Sequence, residues 1–121
     1  MLNSKLTDPA YLVVIATQLT RVTKYSESEQ ILMKVIGQDG RNQDALNVLA
    51  FIYEQSGRLK EATNLREKIY VLNPWGADNL YQLALDYMKL NQRTEMYRIK
   101  NLLMEFASLT EYGKLAKEKL N

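Results

Sequence analysis

The residue types that most often do chemistry are scarce in this chain. It has no cysteine and no histidine. That removes disulfides, thiol catalysis and thiolate metal sites, along with the commonest general base and the commonest metal ligand. The five glycines, Gly37, Gly40, Gly57, Gly76 and Gly113, stand apart from one another, so no glycine-rich phosphate loop is present. The acidic pairs Glu27/Glu29 and Asp39/Asp44 fall at expected helix starts or loops, where carboxylates favour the positive helix end. They read as capping residues rather than an acid–base pair. Lys114, Lys117 and Lys119 fall in the last turns of an expected final helix and suit its negative end. Arg93, Arg98 and Lys100 interleave with Tyr97 in a pattern that could touch RNA. With 16 Lys and Arg against 14 Asp and Glu, however, the net charge is only +2, too weak for a polybasic surface. No catalytic constellation, metal site or cofactor motif emerges, and a nucleic-acid partner is not expected.

The elements that would position any remaining site are helices. The 121 residues amount to one domain, with 46% apolar and 25% charged residues, near ordinary globular usage. Only five glycines and two prolines interrupt the chain, and no linker or low-complexity segment divides it. The longest apolar run, Tyr11 to Ala16, falls far short of the roughly 20 residues a membrane-spanning helix needs. The first residues lack the charged-then-apolar order of a signal peptide.

A 34-residue register organises these helices. Leu46, Leu49, Ala50, Tyr53 and Gly57 recur as Leu80, Leu83, Ala84, Tyr87 and Asn91. The same slots one period earlier hold Leu12, Ile15, Ala16, Leu19 and Thr23. A small residue at Ala16, Ala50 and Ala84 lets two helices approach closely, and the neighbouring large apolar residues fill the groove between them. Gly57 and Asn91 fall where a left-handed backbone closes a turn. Thr23 departs from that pattern, so its turn is expected to differ. Asp8-Pro9 and Ser26-Glu27-Ser28-Glu29 read as helix starts, the second as a capping box. Helices are expected at about 9–23, 26–38, 43–56, 59–72, 77–90 and 93–107, with Thr110 capping a seventh that runs to about Leu120.

This register resembles the tetratricopeptide repeat. The resemblance implies an all-α fold, a right-handed α-α superhelix of three helix hairpins plus a C-terminal capping helix. The whole of 1–121 would be one domain, with repeats at about 9–42, 43–76 and 77–110. Pro74 ends its repeat, whereas Gly40 and Ser108 stand at the equivalent slots. Arg66 and Lys100 occupy a usually aromatic slot. Leu2 and Leu6 are the residues available to cover the first repeat.

In that family the first helix of each hairpin lines a concave groove. Carried over by register, the groove holds Val13, Thr17, Thr20 and Arg21, then Asp44, Asn47, Phe51, Glu54 and Gln55, then Asp78, Tyr81, Leu85, Met88 and Lys89. Asn47 would bond a peptide backbone, while Phe51, Tyr81, Leu85 and Met88 would pocket apolar side chains. The implied function is a non-catalytic scaffold for a protein or peptide segment. The C-terminal helix or a second copy of the chain could fill the groove instead, so a self-associating homodimer is the other structural reading. The slots that form a basic clamp for acidic chaperone tails in some members hold Val13, Thr17, Val48, Asp78 and Gln82. None is a cation, so that specialisation is not expected.

A second resemblance rests on Asn73-Pro74-Trp75-Gly76-Ala77-Asp78-Asn79 and Thr110-Glu111-Tyr112-Gly113-Lys114-Leu115-Ala116-Lys117. Both look like the repeat tails of bacterial O-antigen ligase/polymerase-type membrane proteins. It implies an accessory domain of a surface-glycan enzyme, extracytoplasmic rather than cytoplasmic as a free-standing chain would be. Trp75 and Asn79 would then be contact residues; otherwise Trp75 packs into the junction between repeats two and three.

Overall fold

A computed structural model describes residues 7–120. Among them are seven α-helices: α1 (Pro9–Arg21), α2 (Tyr25–Gln38), α3 (Gln43–Gln55), α4 (Leu59–Leu72), α5 (Ala77–Lys89), α6 (Arg93–Ala107) and α7 (Glu111–Lys119). The first six pair as consecutive antiparallel hairpins, and α7 packs on α5 and α6. The capping helix and the all-α architecture are therefore present as the register implies. Leu2 and Leu6, expected to cover the first hairpin, lie outside the described residues.

Each hairpin closes through the same turn. Lys24 N–H donates to Leu19 O at 2.9 Å and Thr23 N–H to Thr20 O at 3.0 Å. Arg58 and Gly57 make the matching pair to Tyr53 and Glu54, as do Gln92 and Asn91 to Tyr87 and Met88. This double bond is the Schellman closure, which needs a left-handed residue just past the helix. Thr23, Gly57 and Asn91 supply it with φ of 62°, 76° and 59°. The expectation that the Thr23 turn would differ is thus corrected. The hydrogen bonds impose the same geometry on a β-branched residue that disfavours it.

Three helix starts outside these turns are capped by side chains, whereas Gly76 starts α5 without one. Asp8 accepts from Ala10 N–H at 3.0 Å, Asn42 from Ala45 N–H at 3.0 Å and Thr110 from Gly113 N–H at 3.1 Å. The expected capping box at Ser26 does not form. The Schellman turn hands the chain straight into α2 at Tyr25, which leaves Ser26 inside the first turn. Ser28 is instead buried, bonding Ala16 O and Thr20 Oγ1, each at 2.8 Å. Glu29 reaches across to Arg58 at 2.9 Å.

Small and large residues interlock within each hairpin. Ala16, Ala50 and Ala84 are all fully buried, and so are Ser28, Ala62 and Met96, also 34 residues apart, on the facing helices. Two apolar clusters result. One gathers Ala16, Leu32, Leu49, Ile52 and Ala62 from the first two hairpins. The other gathers Leu80, Leu83, Met96, Ile99 and Leu103 with Ala116 and Leu120 of the C-terminal segment. Helix α7 docks closely because position 113 is glycine. A Cβ there would stand 2.0 Å from Ala107 O. Lys100 Nζ donates to Leu120 O at 2.5 Å and ties the end of that segment to α6.

Candidate functional site: a groove along the first helices

The first helices of the three hairpins line a cavity of about 520 Å³. Helix α1 contributes Thr17, Thr20 and Arg21, the turn after it Thr23, and the start of α2 Tyr25. Helix α3 contributes Asn47, Val48 and Phe51, α5 contributes Asp78 and Gln82, and Tyr112 of α7 closes one side. Arg66 of α4 reaches through from behind. The walls thus mix exposed aromatic surface at Phe51 and Tyr112 with hydroxyl, amide and charged groups.

The sequence-derived site residues divide. Thr17, Asn47 and Phe51 meet at this groove. Val13 is half-buried against the apolar cluster of the first two hairpins. Tyr81 is only 9% exposed and lies beside Tyr112, ring centroids 6.0 Å apart. Leu85 is half-buried against the same C-terminal cluster. Neither of the two lines this cavity, and Tyr112 of α7 stands beside Tyr81. Met88 and Lys89 are exposed, and neither lines the groove; Met88 borders a separate cavity of about 110 Å³ with Asn91, Arg93 and Met96. Glu54 is turned into the joint between hairpins.

That joint holds a polar network around Arg66, which is 4% exposed. Its guanidinium forks onto Glu54, Nε to Oε2 at 3.0 Å and Nη2 to Oε1 at 2.8 Å. Nη1 donates to Asn47 Oδ1 at 2.7 Å and to Asn79 Oδ1 at 3.3 Å. Burial disfavours the Glu54 carboxylate, but hydrogen bonds from Arg66 and Asp86 outweigh it and hold Glu54 below the usual carboxylate range. Asp86 goes the other way. Burial first, then the hydrogen bond and charge of Glu54, push it up to about 9, against the opposing pull of Arg66 and Lys89. Asn47, expected to hydrogen-bond a peptide backbone, has its oxygen committed to Arg66.

Sequence reasoning missed Arg66, Asp86 and Tyr112 as shapers of this site. One signal was available. Basic residues at both 66 and 100 replace a usual aromatic, and each reaches forward to the next element, Arg66 to Asn79 and Lys100 to Leu120. Arg98 of the aromatic-basic stretch is engaged as well. It pairs with Glu67 at 2.5 Å and with Glu95 at 2.8 Å. Trp75 does not fill the junction between hairpins. It is 72% exposed and meets Phe106 edge-on across the outside of that junction, centroids 5.2 Å apart.

No protein-family model and no curated protein sequence matches the chain. Solved structures do. YrrB, a tetratricopeptide-repeat protein with an unusual peptide-binding site, superposes with a TM-score of 0.76 at 20% identity, over 93% of this chain and 61% of YrrB. A tetratricopeptide-repeat protein from Parabacteroides merdae gives 0.83 at 20% identity, over 90% of this chain and 43% of that one. The Yersinia enterocolitica type III secretion chaperone SycD, in complex with a peptide of the translocator YopD, gives 0.78 at 14% identity, over 90% and 84%. The chain thus spans less than two thirds of the first two of these structures. Its fold is the right-handed superhelix of tetratricopeptide repeats.

Proposed function

We propose that this tetratricopeptide-repeat chain is a non-catalytic scaffold that holds a peptide or protein segment in the groove of its first helices. The observation that carries the reading is the groove itself. Exposed Phe51 and Tyr112 flank a cavity of about 520 Å³ whose other walls are mainly hydroxyl, amide and charged groups, with Val48 among them. Concave surfaces with apolar anchors and a few placed polar groups suit an extended segment. The peptide complex of SycD and the peptide-binding site named for YrrB lend support by analogy of fold alone. Among the described residues no group of three or more acidic side chains is placed to hold a metal, and none of the helices is long and apolar enough to cross a membrane.

Selection of binders from a random peptide library, followed by titration against variants, tests this. Phe51→Ala and Tyr112→Ala should each weaken the selected peptide about tenfold or more, the range of a lost aromatic anchor. Val71→Ser, at an exposed position on α4 that is not part of the groove wall, should leave affinity unchanged. Binding that survives both groove substitutions would overturn the proposal. The second resemblance, to surface-glycan membrane proteins, has no counterpart among the structures named above.

A further inference from the structure

The groove does not end at Asn47. A second cavity of about 150 Å³ adjoins the first, and Asn47 and Asp78 line both. Helices α3, α4 and α5 and the loop before α5 enclose this chamber, and α1 has no part in it. Two carboxylates stand in its wall, Asp44 and Asp78, one 34-residue period apart and both exposed. No lysine or arginine lines it. Among the described residues neither carboxylate enters an ion pair.

Cations on the adjoining elements are engaged or turned elsewhere. Arg66 is forked onto Glu54. Lys68 reaches over Gly40, its Nζ 3.4 Å from where a Cβ would stand. Arg41, exposed before α3, pairs with neither aspartate. Arg21 is exposed but stands on α1 and lines only the larger cavity. A first-turn carboxylate favours the positive end of its helix on any face. That accounts for one acid at the start of α3 and another at the start of α5. It does not account for both acids lining one cavity whose wall holds no cation.

We infer that the second chamber takes a lysine or arginine side chain of the bound segment, while the larger cavity takes an apolar neighbour between Phe51 and Tyr112. Two unpaired carboxylates at the rim of a concave pocket set up a negative potential that attracts a cation and repels an acid. Gln43 and Asn73, also in the chamber wall, add amide oxygens that accept from ammonium or guanidinium N–H groups. Asp44 and Asp78 are thus specificity residues, and their sign is opposite to that of a basic clamp for acidic tails. The inference rests on the groove reading above and names the chemistry of its ligand.

Peptides selected on the full chain from a random library, with acetylated and amidated ends so that only side chains carry charge, test it. The binders should carry Lys or Arg close to an apolar residue. A copy of the selected peptide with that cation replaced by Gln should bind about five- to tenfold more weakly, the worth of two partly screened ion pairs. Asp44→Asn combined with Asp78→Asn should weaken the basic peptide by as much and leave the Gln copy unchanged. Raising salt from about 0.05 to 0.5 M should weaken the basic peptide and spare the Gln copy. The Gln copy and the salt series read the charge on the parent protein, so the answer does not depend on how well the Asn variant folds. Binders without a cation, or a basic peptide that is indifferent to the Gln replacement and to salt, would overturn the inference. If Phe51→Ala still weakens those binders, the groove reading stands without it. If Phe51→Ala and Tyr112→Ala leave them unchanged as well, both fall.

Discussion

Asn79 grips Arg66 at both ends: its Nδ2 donates to the Arg66 carbonyl at 3.0 Å, and its Oδ1 accepts from the guanidinium at 3.3 Å. Both residues are buried. One belongs to α4 and the other to α5, so the pair rivets the second hairpin to the third with polar bonds.

Removing one member of a buried ion pair strands the other charge away from water, at a cost of about 3–5 kcal/mol. Arg66→Ala should therefore lower the unfolding free energy by about that much in urea titrations, because Glu54 keeps its burial without its partner. Asn79→Ala should cost less, about 1–3 kcal/mol, as a neutral hydrogen-bonding group. A loss under about 1 kcal/mol for Arg66→Ala would show that this network does not hold the joint.

The three Schellman turns give an internal comparison. Thr23 adopts a φ of 62° that suits glycine far better than a β-branched residue. Thr23→Gly should stabilise the protein by roughly 1 kcal/mol, and Gly57→Ala should destabilise it by a similar amount. Melting curves of the two variants should shift in opposite directions; a shift of the same sign for both would contradict the strain argument.

Gly113 is where the capping helix comes closest to the third hairpin. A methyl group there meets the Ala107 carbonyl and the Ser108 Cα, neither of which can yield easily. Gly113→Ala should undock α7, and truncation before Thr110 should go further by baring Leu103, Ala107 and Tyr81. Both should lower the melting temperature and raise binding of a hydrophobic dye. An unchanged melting temperature on truncation would mean that α7 does not stabilise the repeats.

Trp75 is the sole tryptophan, so its fluorescence reports on one contact, the edge-on packing with Phe106. Phe106→Ala should shift its emission to the red as water replaces the ring. Trp75→Ala should cost only about 0.5–1.5 kcal/mol, the worth of an aromatic pair, since most of the indole already meets solvent. A loss of several kcal/mol would place the indole in the core instead.

The 34-residue register was legible because helix periodicity and small-residue spacing are local properties. Ala16, Ala50 and Ala84 had to face partners for two helices to approach, whatever else the chain did. The helix ends followed nearly as well, since Asp8, Asn42 and Thr110 cap through bonds spanning two or three residues. Even so, local reading mistook Thr23, where backbone hydrogen bonds override the side chain's preference, and Ser26, whose capping pattern was pre-empted by the turn before it.

What the tertiary structure alone decided was the use of each exposed position. Tyr81 and Asn47 occupy equivalent slots one repeat apart, yet α7 covers Tyr81, while Arg66 takes the oxygen of Asn47 and leaves that residue on the groove. Nothing within either helix distinguishes them. The difference comes from other elements: α7, distant in sequence and brought over Tyr81 by stacking, and α4, the hairpin partner of α3. The same holds for Asp86. Its identity was visible in the chain, but its burial and the upward pull on its pKa from Glu54, 32 residues away in sequence, come only from the fold.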